Sequence, residues 1–207
     1  MFGPDQVYGE ESILSKLTVV TGWSHIGVGE KDVIKMTDGC HFYARKVYSN
    51  RRLLDDAERS RRAQSEWNDL LYLSGSRFGV HVAKPVELLY ENGVPVGLLT
   101  MWREGSKIDF SGGSSRIPKK SIDRLENNFD WLTDQGWHIE SDDLSGIYWD
   151  GKDLWFPECR LFNQGTEFPS LMAPADEQLR WYPGRYIQTI CSLRDHQASG
   201  VLGWFDK

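Results

Sequence analysis

Cysteine is scarce in this chain: Cys40, Cys159 and Cys191 are the only three in 207 residues. An odd, scattered set builds no disulfide framework and suits a reducing compartment. Long apolar runs are missing as well. No stretch approaches the ~20 residues of a membrane helix, and the opening Met1-Phe2-Gly3-Pro4-Asp5 lacks the charged-then-apolar order of a cleavable signal. Positive charge is in deficit, with 24 Lys+Arg against 30 Asp+Glu and a net charge of −6. That argues against wholesale nucleic-acid binding, which needs a basic face. The five histidines and three cysteines show no paired ligand spacing of the zinc type. Neither internal repeats nor low-complexity tracts occur. What is plentiful is aromatic: nine Trp, eight Tyr and nine Phe, within 40% apolar and 26% charged residues. Such a composition supports a sizeable globular core, and the expectation is a soluble, cytoplasmic protein.

Hydrophobic patterning predicts strands around one helix in the first half. Asp32–Met36 and His41–Tyr48 flank Thr37-Asp38-Gly39, and Val86–Tyr90 and Val94–Met101 flank Glu91-Asn92-Gly93. Both are hairpin signals. Between them Ala63, Trp67, Leu70 and Leu71 recur at the spacing of one helix face. A Gly/Ser linker follows around Ser111–Ser115. Ile122, Leu125, Phe129 and Leu132 then mark an amphipathic helix stopping near Gly136, and Asp150-Gly151 centres a third hairpin. A last short helix is predicted over Tyr186–Leu193. The fold class expected is α+β in two lobes, a β-rich lobe over 1–103 and a reduced, mainly helical lobe over 104–207.

Several residues in this order can carry chemistry. Gly27 and Gly29 flank Val28 at a strand turn, where backbone N–H groups can approach a phosphate; an ordinary β-turn uses the same residues. Lys46 stands on a strand amid apolar neighbours and either points to solvent or needs a counter-charge. Glu66 shares the inward face of the helix that follows and is the natural partner, since a carboxylate there is costly unless paired. The basic cluster Arg51, Arg52, Arg59, Arg61 and Arg62 is interleaved with Asp55, Asp56 and Glu58, the pattern of a salt-bridged surface helix. Thr100, Met101 and Trp102 end the second hairpin at the junction of the lobes. Two acidic segments, His138-Ile139-Glu140 to Ser145 and Glu158-Cys159-Arg160, bracket the third hairpin.

Glycine turn, strand lysine, helix glutamate, linker, helix and two acidic segments resemble the protein-kinase fold in their order. In that family a His-x-Asp-x-x-x-x-Asn loop supplies a catalytic Asp and a metal-binding Asn, and a second metal-binding Asp follows about 18 residues later. Set on this frame, His138 takes the place of the His, Glu140 of the catalytic Asp, Ser145 of the Asn and Glu158 of the second Asp. Two prescribed positions are both acidic by chance about once in fifty. Arg45-Lys46-Val47-Tyr48 and the short second lobe resemble the compact bacterial YrbL-type family. Leu99–Gly105 as a hinge and Trp155–Arg160 resemble the small secreted effector kinases of enteric pathogens. The resemblance covers roughly residues 27–160.

The resemblance implies a nucleotide site formed by Gly27, Gly29, Lys46, Glu66, Met101 and Trp102, with ATP and magnesium as cofactors and Ser145 and Glu158 as metal ligands. Thr100 falls at the back of the adenine pocket, and Met101–Arg103 present backbone to the base. Every acidic or amide residue of that motif is changed, however. A misplacement of ~1 Å costs about 10²-fold, and magnesium demands near-octahedral geometry. Asp142 offers a substitute base if the frame slips, but Ile147 then falls where the metal-binding Asn belongs; a solvated turn over 142–146 is the simpler reading. Three functions follow: a pseudokinase or weakly active kinase that binds a partner protein, an active protein kinase of bacterial effector type working in a host cell, and an unrelated α+β regulatory binding protein. The partner expected is a protein, not nucleic acid or membrane.

Overall fold

The computed structural model describes residues 12–21, 26–28, 31–48, 55–108, 117–140, 147–157 and 159–163, with backbone alone at 26–28, 138, 140, 160, 162 and 163. The chain divides into two units, Met1–Trp67 with Pro85–Arg103, and Asn68–Lys84 with Glu104–Lys207. The class is α+β.

The first unit is an antiparallel sheet. β1 (Thr18–Val19) and β2 (Ile26–Val28) both pair with β3 (Lys31–Thr37), which continues through β4 (Phe42–Tyr48) and β6 (Val94–Met101) to β5 (Pro85–Glu91). Local chemistry sets both tight turns. The Asp38 carboxylate accepts the Cys40 and His41 N–H groups at 2.8 and 2.7 Å, and Gly39 takes φ +92°. These bonds, with one from the Tyr43 hydroxyl, hold the exposed Asp38 carboxyl well below the usual carboxylate range. In the second turn Asn92 and Gly93 both have positive φ, +52° and +79°, the backbone that Asn-Gly favours between two strands.

Residues paired across an antiparallel ladder share a face, and alternate residues change face. One face of this sheet therefore carries Met36, Tyr43, Leu89 and Leu99, which with Leu17 form a hydrophobic core supported by Ile34, Val47 and Met101. The opposite face carries Lys31, Lys35, Lys46, Tyr48, Leu98 and Thr100. At its Lys31, Lys46 and Tyr48 end it meets α1 (Asp56–Ser74), of which the residues up to Trp67 belong to this unit. The stripe predicted on α1 is corrected by one flank. Arg59, Ala63, Glu66, Leu70 and Leu73 are buried, whereas Leu71 is 47% exposed. At about 100° per residue, Leu71 lies about 80° to one side of Ala63, and Glu66 about 60° to the other.

The second unit holds the end of α1, a short 3-10 helix (Arg77–His81), α2 (Lys119–Asp134) and five short strands. β7 (Ser106–Lys107), β9 (Tyr148–Trp149) and β10 (Leu154–Trp155) form one small sheet, β8 (Trp137–Glu140) and β11 (Arg160–Asn163) another. Among the described residues of this unit, helix and two small sheets occur together. α2 forms where its 3–4 spacing places Ile122, Leu125, Phe129 and Leu132 in the core, and the chain turns away after its last residue, Asp134, through Gly136 with φ +79°. Asp150 again closes a turn, accepting the Lys152 and Asp153 N–H groups. Phe78, Phe129 and Phe156 pack with ring centroids 5.3–6.4 Å apart. Beside them His81 Nδ1 lies 2.6 Å from the Leu154 carbonyl and Nε2 lies 2.9 Å from the Asn128 amide nitrogen. The ring therefore donates through Nδ1 and accepts through Nε2. Of the described cysteines, Cys40 is exposed and Cys159 buried. The linker at 111–115, Cys191 and the helix expected over 186–193 lie outside the described residues.

Candidate functional site

On the helix-covered face of the sheet, three buried charges meet. Lys46 on β4 is 4% exposed and Glu66 on α1 is 1% exposed. Their Nζ–Oε1 distance is 3.3 Å. The pairing expected between the strand lysine and the helix glutamate forms, and the solvent-facing alternative for Lys46 does not. Sequence reasoning missed the third member. Lys31, at the first position of β3 and 4% exposed, puts Nζ 2.8 Å from Glu66 Oε2. The Tyr48 hydroxyl donates to the same oxygen at 2.8 Å, and the Lys31 ammonium lies 5.0 Å from the Tyr48 ring centroid.

Electrostatics decide the ionisation of Glu66. Burial alone pushes its pKa up, but the Lys31 and Lys46 charges, with hydrogen bonds from Lys31 and Tyr48, outweigh that and hold it at about 2. Glu66 is therefore a carboxylate at neutral pH. The helix is pinned beside it: Arg59 donates from Nε to the Tyr48 carbonyl at 3.0 Å and pairs with Asp56. The other described arginines of the basic cluster, Arg61 and Arg62, are bound to Glu58. Arg51 and Arg52 lie outside the described residues.

The remaining site residues are distributed as follows. Gly27 is in the β2–β3 ladder opposite Asp32, not in a turn. Val28 pairs with Lys31, which leaves only residues 29 and 30 between the strands; Gly29 is outside the described residues. Met101 closes β6 opposite Tyr43, and the Trp102 N–H donates to the Phe42 carbonyl at 2.8 Å. That amide is committed to the ladder. The Lys35 ammonium lies 4.4 Å from the Trp102 ring and 4.6 Å from that of Phe42, at cation–π range. Glu140 is in β8 opposite Arg160, described as backbone. Asp142, Ser145 and Glu158 are outside the described residues.

The donor set suits a phosphate-bearing ligand. Two ammonium groups are fixed on a single carboxylate, and lysine is a common point-charge binder of phosphate. On the same face the Thr100 hydroxyl is fully buried with no hydrogen-bond partner among the described residues, a polar atom that a ligand can satisfy. No group of three or more His, Cys, Asp or Glu side chains suited to a metal occurs among the described residues. None of the described helices is long and apolar enough to cross a membrane. No protein-family model matches the chain, and no curated protein matches it.

Proposed function

We propose that this chain is a kinase-like, nucleotide-binding protein that works chiefly as a pseudokinase, engaging a partner protein, with phosphoryl transfer slow or lost. The observation that carries this reading is the buried Lys46–Glu66 pair. In protein kinases the lysine of the third sheet strand pairs with a glutamate of the following helix, and the pair orients the nucleotide's phosphates. Here β1 and β2 lie along one edge of β3, so β4 is third from that edge, and α1 follows it directly. The position of Thr100, Met101 and Trp102 at the end of β6 supports the same reading, with a bilobal kinase-like arrangement and a reduced second lobe.

ATP is the nucleotide proposed. Magnesium would accompany it through Ser145 and Glu158, supplying charge neutralisation of the phosphates when bound. The pseudokinase part rests on Glu140, Ser145 and Glu158 standing where the family has Asp, Asn and Asp. The compartment proposed is the bacterial cytoplasm, or a host cell for a secreted effector.

A thermal-shift titration tests the reading. ATP with magnesium at about 100 times its Kd should stabilise the protein by ~2.7 kcal/mol, visible as a raised melting temperature. Absence of any shift up to millimolar ATP, with or without magnesium, overturns it.

A further inference from the structure

Tyr48 is held by α1 at both of its ends. Its hydroxyl donates to Glu66 Oε2, and its carbonyl accepts from Arg59 Nε, about two turns earlier on the helix. We propose that Lys31 and Tyr48, rather than Lys46, anchor α1 to the sheet: they hold Glu66 by Oε2, and so keep Oε1 in place for Lys46. Lys31 is then a positioning residue that acts on Lys46 through Glu66. The anchorage stands on geometry alone, and its meaning for a phosphate-binding lysine rests on the nucleotide reading above. In protein kinases the position of the helix controls whether the lysine–glutamate pair forms. An anchor outside the pair removes that control and keeps the pair made.

Three observations carry it. Lys31 Nζ and the Tyr48 hydroxyl each lie 2.8 Å from Oε2, whereas Lys46 Nζ lies 3.3 Å from Oε1. Ammonium–carboxylate hydrogen bonds run at ~2.7–2.9 Å, so Oε2 carries the stronger contacts. The anchor is also braced within the sheet. Lys31 is opposite Tyr48 in the β3–β4 ladder, and its ammonium lies 5.0 Å from the Tyr48 ring centroid. Lys46 stands in the neighbouring row of the same face, opposite Val33. Finally, Lys31, Tyr48, Arg59 and Glu66 are all buried, where such contacts are stronger than in water. Against the burial that raises the Glu66 pKa, the Lys31 charge does more than that of Lys46 to lower it.

The test follows hydrogen exchange of the full chain by mass spectrometry, without nucleotide, in the wild type, Lys31→Met, Tyr48→Phe and Lys46→Met. The α1 amides between Arg59 and Trp67 should exchange at least tenfold faster in Lys31→Met and at least threefold faster in Tyr48→Phe, with those of β5 and β6 unchanged. Lys46→Met should leave α1 within twofold of wild type. A loss of protection in Lys46→Met equal to that in Lys31→Met overturns the proposal. Acetylation by acetic anhydride separates positioning from a merely structural role. Lys46 should react at least fivefold faster in Lys31→Met, while Lys35, on the same strand as residue 31, keeps its wild-type rate. Lys46 reacting as in the wild type, or Lys35 accelerating equally, overturns it. Should Lys31→Met not fold, Tyr48→Phe and Lys46→Met carry both measurements, and α1 protected no less in Tyr48→Phe than in Lys46→Met overturns the proposal. These outcomes judge the anchorage, and the ATP titration above separately judges the nucleotide reading.

Discussion

Glu66 is the residue on which the buried ammonium groups of Lys31 and Lys46 converge. Its carboxyl is held at about 2, against an ordinary value near 4.5, by Lys31 and Lys46. A folded-state pKa depressed in this way contributes stability that is complete above the unfolded value and is lost as pH falls from about 4.5 towards 2. Removing one member of a buried ion pair costs roughly 3–5 kcal/mol. Glu66→Gln is therefore expected to lower the unfolding free energy by that amount at pH 7. The gap from wild type should narrow in urea titrations at pH 3. An equal gap at both pH values would show that the carboxylate's charge contributes nothing.

Among the elements, β6 leaves no room for a side chain against β4 at Gly97. A Cβ there would overlap the Lys46 carbonyl oxygen and come within 2.9 Å of the Val47 Cα. Gly97→Ala should therefore part the strands at Lys46 and cost towards the upper end of the roughly 1–3 kcal/mol typical of overpacking. Gly93→Ala meets nothing within 4 Å but keeps a φ of +79°, and should cost only about 1 kcal/mol of backbone strain. Chemical denaturation of the two variants compares them, and equal destabilisation would contradict the close approach. The hairpins at Asp38-Gly39, Asn92-Gly93 and Asp150-Gly151 were legible in the sequence because a side chain or a positive φ fixes each turn locally. So was α2, whose apolar spacing is regular. The inward face of α1 was legible only in part. Leu71 and Leu73 sit symmetrically about the stripe, and tertiary packing decides which is covered. Lys31 escaped notice for a related reason: Lys31 and Lys35 alternate with Ile34 and Met36, a pattern that reads as a polar solvent face until a helix is known to lie over it. Lys46 and Glu66 were found because an acid on an apolar helix face demands a cation.

For the molecule as a whole, the proposed function separates nucleotide binding from phosphoryl transfer. In that proposal the first would depend on Lys46 and Glu66, the second on Glu140, Ser145 and Glu158. Restoring the family's groups with Glu140→Asp, Ser145→Asn and Glu158→Asp together should raise transfer of radiolabelled γ-phosphate by about 100-fold or more over wild type, with ATP affinity little altered. Unchanged transfer in a variant that still binds ATP would contradict the assignment of these three positions.

The lysine lodged between Phe42 and Trp102 has an optical consequence. An indole with a full positive charge 4.4 Å from its ring emits differently from one bathed in water. Whatever draws that ammonium away, or presses it closer, alters the light from Trp102. The end of β6 thus carries its own gauge of where the Lys35 ammonium sits, readable without any added dye.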